Sequence, residues 1–264
     1  MNIFSLLFKR KKEEKIGLAL GSGGAKGFAE LGALFALEQN GITFDYIAGT
    51  SIGSIIGAFV AYGYNSTEIF ELLRRIDVKD IVYASDRITD LISGVFRVID
   101  RNIGSLNIEE LKKPFSCIAT EKESETEKVF SSGNVAKALA ASSSYPPFLR
   151  PVKIDGVYYI DGAFTNSIPA DVVKKMGADY IIGIDLSVQK VNKGNKKGKK
   201  KEKRIGVINP AGKGYRYADV ILHPDLKGYS SYDFNKGMEM YDIGYKCAIE
   251  KISQIKKDLE RLKK

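Results

Sequence analysis

The chain has 264 residues, 44% of them apolar and 28% charged, which suits one substantial α/β core and excludes a disordered or fibrous protein. Its two cysteines, Cys117 and Cys247, exclude a disulfide framework and favour a reducing, cytoplasmic setting. With one histidine, His223, no metal site or mechanism that needs two imidazoles is available.

The net charge of +9 is peripheral. Lys193–Arg204 carries a net +7, Lys9–Lys15 +3 and the stretch from Lys246 to Lys264 +4, so the remainder is mildly acidic. A nucleic-acid groove would line a folded face with positive charge, so no nucleic-acid partner is expected. The basic segments suit an anionic membrane surface instead, and a solvated loop with no specific partner accounts equally for Lys193–Arg204. At the N-terminus, Phe4, Leu7 and Phe8 precede the basic run and can share one helical face, as in a small interfacial anchor at the inner membrane face. A frayed leader explains the same residues. The order of charges is wrong for a secretory signal, and no segment approaches a bilayer span.

In chain order, Ile16–Leu20 is a strand, followed by a glycine-rich turn over residues 21–27 and a helix from Ala25 to Gln39 with Phe28, Leu31 and Phe35 on one face. Tyr46–Ala48 is a short strand and Ile52–Tyr62 an apolar helix stopped by Gly63. A helix over Thr67–Ile76 leads into a weakly periodic stretch, residues 77–106, expected to form a flexible cover. Phe115–Thr120 and Glu127–Phe130 are strands around a polar turn, and Val135–Ala141 is a short helix. Val152–Ile154 and Val157–Ile160 flank Asp155-Gly156, a hairpin signal. Helix Ala170–Met176, strands Tyr180–Leu186 and Val220–Leu222, and a long helix over Asp233–Leu262 complete the path. This alternation predicts a three-layer α/β sandwich with a mostly parallel sheet between helices. The expected organisation is a basic, apolar leader (1–15), one domain (16–245) with a mobile basic insert (193–204), and a charged helix end (246–264).

Gly49-Thr50-Ser51-Ile52-Gly53 is a G-x-S-x-G between a strand and a helix. A nucleophile elbow needs small residues two before and two after its serine, because strand and helix pass too close for side chains. Such a serine projects from a strained turn at a helix N-terminus, where free N–H groups favour negative charge. A plain serine N-cap on a glycine-lined helix is the alternative.

The loop Gly21-Ser22-Gly23-Gly24-Ala25-Lys26-Gly27 also joins strand to helix. It fails as a P-loop, because Lys26 precedes Gly27 and is not followed by Ser or Thr. The dinucleotide register is also off, although Asp45 lies at a suitable distance for a ribose contact. An oxyanion hole built from the Gly23 and Gly24 amides, or a structural turn, remains.

For the base, the order Ser51, Asp161, His223 would allow a triad, but His223 ends a strand directly before Pro224. A serine–aspartate dyad is the alternative. Asp161-Gly162-Ala163 follows a strand, with small residues that admit a substrate beside the carboxylate; a turn aspartate accounts for the same tripeptide. A carboxylate of ordinary pKa matches serine poorly, so the site should be apolar enough to raise it.

The motifs GSGGAKG, GTSIG and DGA, in this order, resemble the patatin-like phospholipase family, especially its bacterial members. Flanking blocks at residues 115–120, 129–134, 141–144, 176–179, 229–234 and 243–245 carry the likeness over nearly the whole chain. The resemblance implies hydrolysis of fatty-acyl esters in phospholipids or lysophospholipids, with no cofactor and no metal. By position it implies Ser51 as nucleophile, Asp161 as proton acceptor and Gly23 and Gly24 as the oxyanion hole. Gly21, Lys26, Gly27, Gly49, Gly53, Gly162 and Ala163 would support the three motifs. The departure is Ser22, where the family commonly has glycine. A non-catalytic membrane-surface module on the same fold is the competing function, and a nucleotide-binding protein the third.

Overall fold

The computed structural model describes residues 14–74, 99–187 and 213–263. The expectations for the N-terminal anchor, for most of the cover at 77–106 and for the insert at 193–204 therefore lie outside the described residues.

Eight strands form one mixed sheet among the described residues: β1 Ile16–Leu20, β2 Tyr46–Thr50, β3 Phe115–Glu121, β4 Glu127–Phe130, β5 Val152–Ile154, β6 Val157–Asp161, β7 Tyr180–Ile184 and β8 Val220–Leu222. Their order is β5-β6-β3-β2-β1-β7-β8, with β4 also paired to β3. The pairs β3–β2, β2–β1, β1–β7 and β7–β8 are parallel; β5–β6, β6–β3 and β3–β4 are antiparallel. The helices are α1 Gly27–Gln39, α2 Ile52–Tyr62, α3 Ser66–Arg74, α4 Val135–Ser142, α5 Ala170–Met176 and α6 Gly237–Leu262.

Period-two alternation sorts the strand residues into two cores. Leu18, Leu20, Ile47, Phe115, Cys117, Ile182 and Ile184 point into the larger core, with residues of α1, α2, α4 and α6. Ala19, Ala48, Ile118 and Ile181 point the other way, against Val172 and Val173 of α5. The second face carries small residues because α5 lies close: a Cβ on Gly17 would sit 2.1 Å from Val173 Cγ1.

Three helical expectations shift. The strand-to-helix turn begins as a 3-10 turn at Gly24–Lys26, so α1 starts at Gly27. The last helix is likewise preceded by a 3-10 turn, Phe234–Lys236, and α6 starts at Gly237. Helix α1 does not bury a single face; ten of its thirteen residues are buried, because α6 covers its back. Beyond residue 245, α6 still buries Ala248, Ile252 and Ile255, so its early charged turns are packed on the domain. From the stretch expected as a cover, Ile99 and Ile103 are core residues.

Glycines set the α1–α6 spacing. A Cβ on Gly32 would stand 1.9 Å from Tyr241 O, and one on Gly244 1.9 Å from Ala29 O. Both distances are against backbone, so the helices would have to separate. Gly244→Ala is expected to lower stability by about 1–3 kcal/mol through overpacking. That outweighs the ~1 kcal/mol that alanine gains as a helix former. The change should appear as a lower denaturant midpoint at unchanged slope.

One strand brings the candidate residues together. Thr50, the last residue of β2, pairs with Ile118 of β3. Asp161, the last residue of β6, pairs with Ala119, the next residue along β3. Because β4 occupies the opposite edge over Cys117–Thr120, β2 and β6 share one edge of β3. They therefore meet end to end, C-terminus to C-terminus, although the two residues are far apart in sequence.

Candidate active site

Ser51 sits where β2 turns into α2, with φ 56 and ψ −125, a conformation that costs a non-glycine residue strain. It holds the N-cap position of α2, and its carbonyl accepts from the Ser54 and Ile55 amides. Its hydroxyl, however, caps no amide and donates to Asp161 Oδ2 at 2.6 Å. That bond separates the two readings of the motif. Both motif glycines are sterically required: a Cβ on Gly49 would lie 2.2 Å from Gly53 O, and one on Gly53 2.6 Å from Gly21 O.

Asp161 is 1% exposed, and both carboxylate oxygens have donors. Oδ2 takes the Ser51 hydroxyl, and Oδ1 takes the Ala163 N–H at 2.8 Å. The turn role and the serine contact are thus both present, one on each oxygen. Its backbone is pinned as well: Asp161 N–H donates to Ser144 O, and Asp161 O accepts from the Thr120 hydroxyl. Burial raises its pKa to about 6, against the lowering pull of the Ser51 and Ala163 hydrogen bonds. This is the direction expected for a carboxylate in an apolar site. Gly162 must be small, since a Cβ would lie 2.2 Å from Ile118 O.

The glycine loop runs beside the elbow. A Cβ on Gly27 would stand 2.4 Å from Ile52 Cγ1. Five of its amides are engaged: Gly21 N–H with Ile184 O and Glu30 Oε1, Ser22 N–H with Ser167 O, Ala25 N–H with Ser231 O, Lys26 N–H with Gly23 O, and Gly27 N–H with the Gly24 and Ala25 carbonyls. The Gly23 and Gly24 amides donate to no group among the described residues. Ser22, Gly23 and Gly24 are half-buried. Gly24 has φ 59, and its Cβ would lie 2.5 Å from Ser231 O, so glycine is required there on both grounds. Lys26 is not a solvated helix-start lysine: it is 9% exposed, and burial lowers its pKa against the pull of Asp233.

His223 is not brought to Ser51. It follows the last residue of β8, three strands from β2 or about 14 Å across the sheet, and its Nδ1 lies 3.2 Å from Asp185 Oδ2. Asp45 is also elsewhere, at the start of β2, where it accepts from Lys15 Nζ and from the Ile16 amide at 2.9 Å each. A ribose-binding carboxylate would stand at the C-terminal end of that strand, beside the glycine loop.

Three neighbours escape sequence reasoning. The Ser142 hydroxyl accepts the Ser51 N–H at 2.9 Å. Asn166 ties the loop after Asp161: its carbonyl takes the Thr50 hydroxyl at 2.7 Å, and its amide side chain donates to buried Asp171 at 2.7 Å. Glu30 reaches Gly21 from α1. The first is a serine at the end of α4 and the second a loop asparagine, neither with a local pattern; the third, an acid in the first turn of a helix, reads as a partner of the helix dipole.

Fold and site together define a three-layer α/β protein that carries a serine elbow against a buried carboxylate. The family model for patatin-like phospholipase matches residues 18–174, and the chain belongs to this family. It is 33% identical over 196 residues to lysophospholipase NTE1 of Debaryomyces hansenii, covering 70% of this chain and 12% of that protein. It is 31% identical over 199 residues to neuropathy target esterase sws of Drosophila melanogaster, covering 70% of this chain and 14% of that protein. It is 31% identical over 281 residues to patatin-like phospholipase domain-containing protein 7 of Rattus norvegicus, covering 92% and 21%. The chain therefore spans about an eighth to a fifth of the length of these relatives. Among solved structures, VipD from Legionella pneumophila shares the fold, with a TM-score of 0.55 at 15% identity over 92% of this chain and 67% of that one. Among the described residues, no helix is long and apolar enough to cross a membrane.

Proposed function

We propose that this chain is a lipid acyl hydrolase, acting on phospholipid or lysophospholipid esters through a serine–aspartate dyad. The observation that carries this reading is the 2.6 Å bond from the strained Ser51 hydroxyl to buried Asp161. Asp161 Oδ2 accepts the Ser51 proton as Oγ attacks the ester carbonyl carbon. The carbonyl oxygen becomes an oxyanion, held by the Gly23 and Gly24 amides; such a donor contributes about 2.7–4 kcal/mol to the transition state. As the intermediate collapses, the C–O bond to the alcohol breaks and the leaving oxygen takes the proton from Asp161. Water then gives a proton to the same carboxylate, attacks the acyl-serine, and releases the fatty acid and the regenerated Ser51 hydroxyl.

An apolar acyl group is supported by the aromatic residues of two segments that border the site. Phe148 and Tyr232 meet edge to face at 5.3 Å and remain exposed at 37% and 51%; Tyr145 stacks on Phe164 at 5.1 Å. The first segment follows Ser142, which holds the Ser51 amide, and the second contains Ser231, which holds the glycine loop. Relatives named as a lysophospholipase and a patatin-like phospholipase domain-containing protein point the same way.

Purified protein is expected to release p-nitrophenol from a medium-chain ester and fatty acid from lysophosphatidylcholine in mixed micelles. His223→Ala should leave kcat/KM within about threefold of wild type, because a residue outside the reacting geometry changes the barrier by less than ~1 kcal/mol. Loss of turnover in that variant would instead indicate a histidine base.

A further inference from the structure

The glycine loop is braced from beneath by an acid that the dyad does not use. Glu30 lies in the first turn of α1, is fully buried, and its Oε1 accepts the Gly21 N–H at 2.7 Å. Gly21 is the first residue past the β1–β7 ladder, which ends at Leu20 paired with Ile184. Glu30 therefore ties the strand end to the start of the helix and closes the loop that holds Gly23 and Gly24.

Packing alone does not ask for an acid here. Glu30 Oε2 is buried and receives no hydrogen bond among the described residues. The charged neighbour facing it is Asp185, beyond the end of β7, whose own Oδ2 lies 3.2 Å from His223 Nδ1. Burying a carboxyl beside another carboxylate with one oxygen unpartnered is unfavourable, and an apolar side chain would fill the space without that cost. What the acid supplies is a second, shorter acceptor for Gly21 N–H, which also donates to Ile184 O at 3.1 Å: the pair fixes the amide between the β7 end and α1. Burial, reinforced by Asp185, holds Glu30 well above the usual carboxylate range despite the Gly21 bond. That direction favours the neutral form, which places less negative charge behind the amides that would stabilise an oxyanion.

We propose that Glu30 is a positioning residue: its acceptor on Gly21 sets where the Gly23 and Gly24 amides stand beside Ser51. The inference rests on the acyl-hydrolase reading for its kinetic consequence but not for its structural one. The test compares the full chain with three variants. Glu30→Met removes the acceptor at similar length, Glu30→Asp keeps the acid but shortens its reach, and Glu30→Gln keeps both acceptor and reach.

With a p-nitrophenyl ester, Glu30→Met and Glu30→Asp are expected to lower kcat at least about tenfold, with KM within about twofold; Glu30→Gln should recover kcat to within about threefold. Hydrogen exchange of the peptide covering residues 21–27 should quicken in the first two and return to the wild-type rate in the third. If Glu30→Met does not fold, the Gln and Asp variants decide alone. Wild-type kcat and exchange in Glu30→Asp, or a loss in Glu30→Gln as large as in Glu30→Asp, would overturn the assignment. If wild type neither hydrolyses esters nor reacts with a fluorophosphonate, the acyl-hydrolase reading fails, and the exchange rates still read the brace.

Discussion

Ser51→Ala is expected to abolish ester hydrolysis and labelling by a fluorophosphonate probe while leaving the fold intact. The half-buried hydroxyl donates to Asp161 at the elbow, and alanine removes it without adding volume. Loss of a nucleophile whose base and oxyanion donors remain costs on the order of 10⁶ in kcat in well-studied serine hydrolases, so turnover should fall below detection. The backbone consequences are small: the Ser51 N–H to Ser142 bond and the carbonyl cap on α2 do not involve the side chain. Alanine at φ 56 is strained much as serine is, but it leaves buried Asp161 Oδ2 without its donor, so stability should fall by about 1–3 kcal/mol, seen as a lower melting temperature of a still-folded protein. Labelling that survives in Ser51→Ala would place the nucleophile elsewhere and remove the dyad.

Asp161→Asn should lose activity as completely, yet gain stability. The carboxylate can accept the Ser51 proton only when ionised, so kcat/KM should rise with pH through about 6 and fall about tenfold per unit below it. Stability runs the other way. The folded-state pKa of about 6 lies above the ordinary value of 3.8, so the native state holds this proton to higher pH than the unfolded chain. The native state is therefore penalised as pH rises from about 4 to 6, and the penalty persists above that range. Two pH units correspond to roughly 3 kcal/mol. Asparagine carries no such penalty: its oxygen can accept from Ala163 N–H and its amide can donate to Ser51 Oγ. The variant should be more stable than wild type at pH 8 by up to about 3 kcal/mol, with the difference vanishing near pH 4. Denaturant unfolding at the two pH values checks this, and an Asn variant that is less stable at pH 8 would contradict it. Stability would then have been given up for function at one buried carboxyl.

The elements that could be read from the sequence are those whose pattern is local. Ile52–Tyr62 and Val220–Leu222 are found where apolar runs and glycine stops place them. Asp155-Gly156 forms its hairpin because both residues adopt positive φ, 48 and 88, as a tight two-residue turn requires. Boundaries moved where tertiary contacts extend an element. Strand β2 runs on to Thr50 because β3 continues to pair with it, and α1 starts late because the Ser231 carbonyl holds Ala25 in the turn. Helix α1 could not be read as buried on its back, since the glycine contact that buries it comes from Gly244, more than two hundred residues away.

The motifs themselves determined which atoms could do chemistry. Small residues flank one serine, a glycine-rich turn joins a strand to a helix, and one aspartate ends a strand before Gly162. Composition allowed no second imidazole. The resemblance points to Asp161 as that serine's partner, but residue spacing does not bring the two together; the meeting itself and the burial around it belong to the tertiary structure. Both follow from β2 and β6 arriving on the same edge of β3, which closes a gap of more than a hundred residues to 2.6 Å and imposes burial on Asp161. Spacing along a chain encodes neither strand order nor solvent exclusion, because both are properties of segments that touch only once the sheet is assembled.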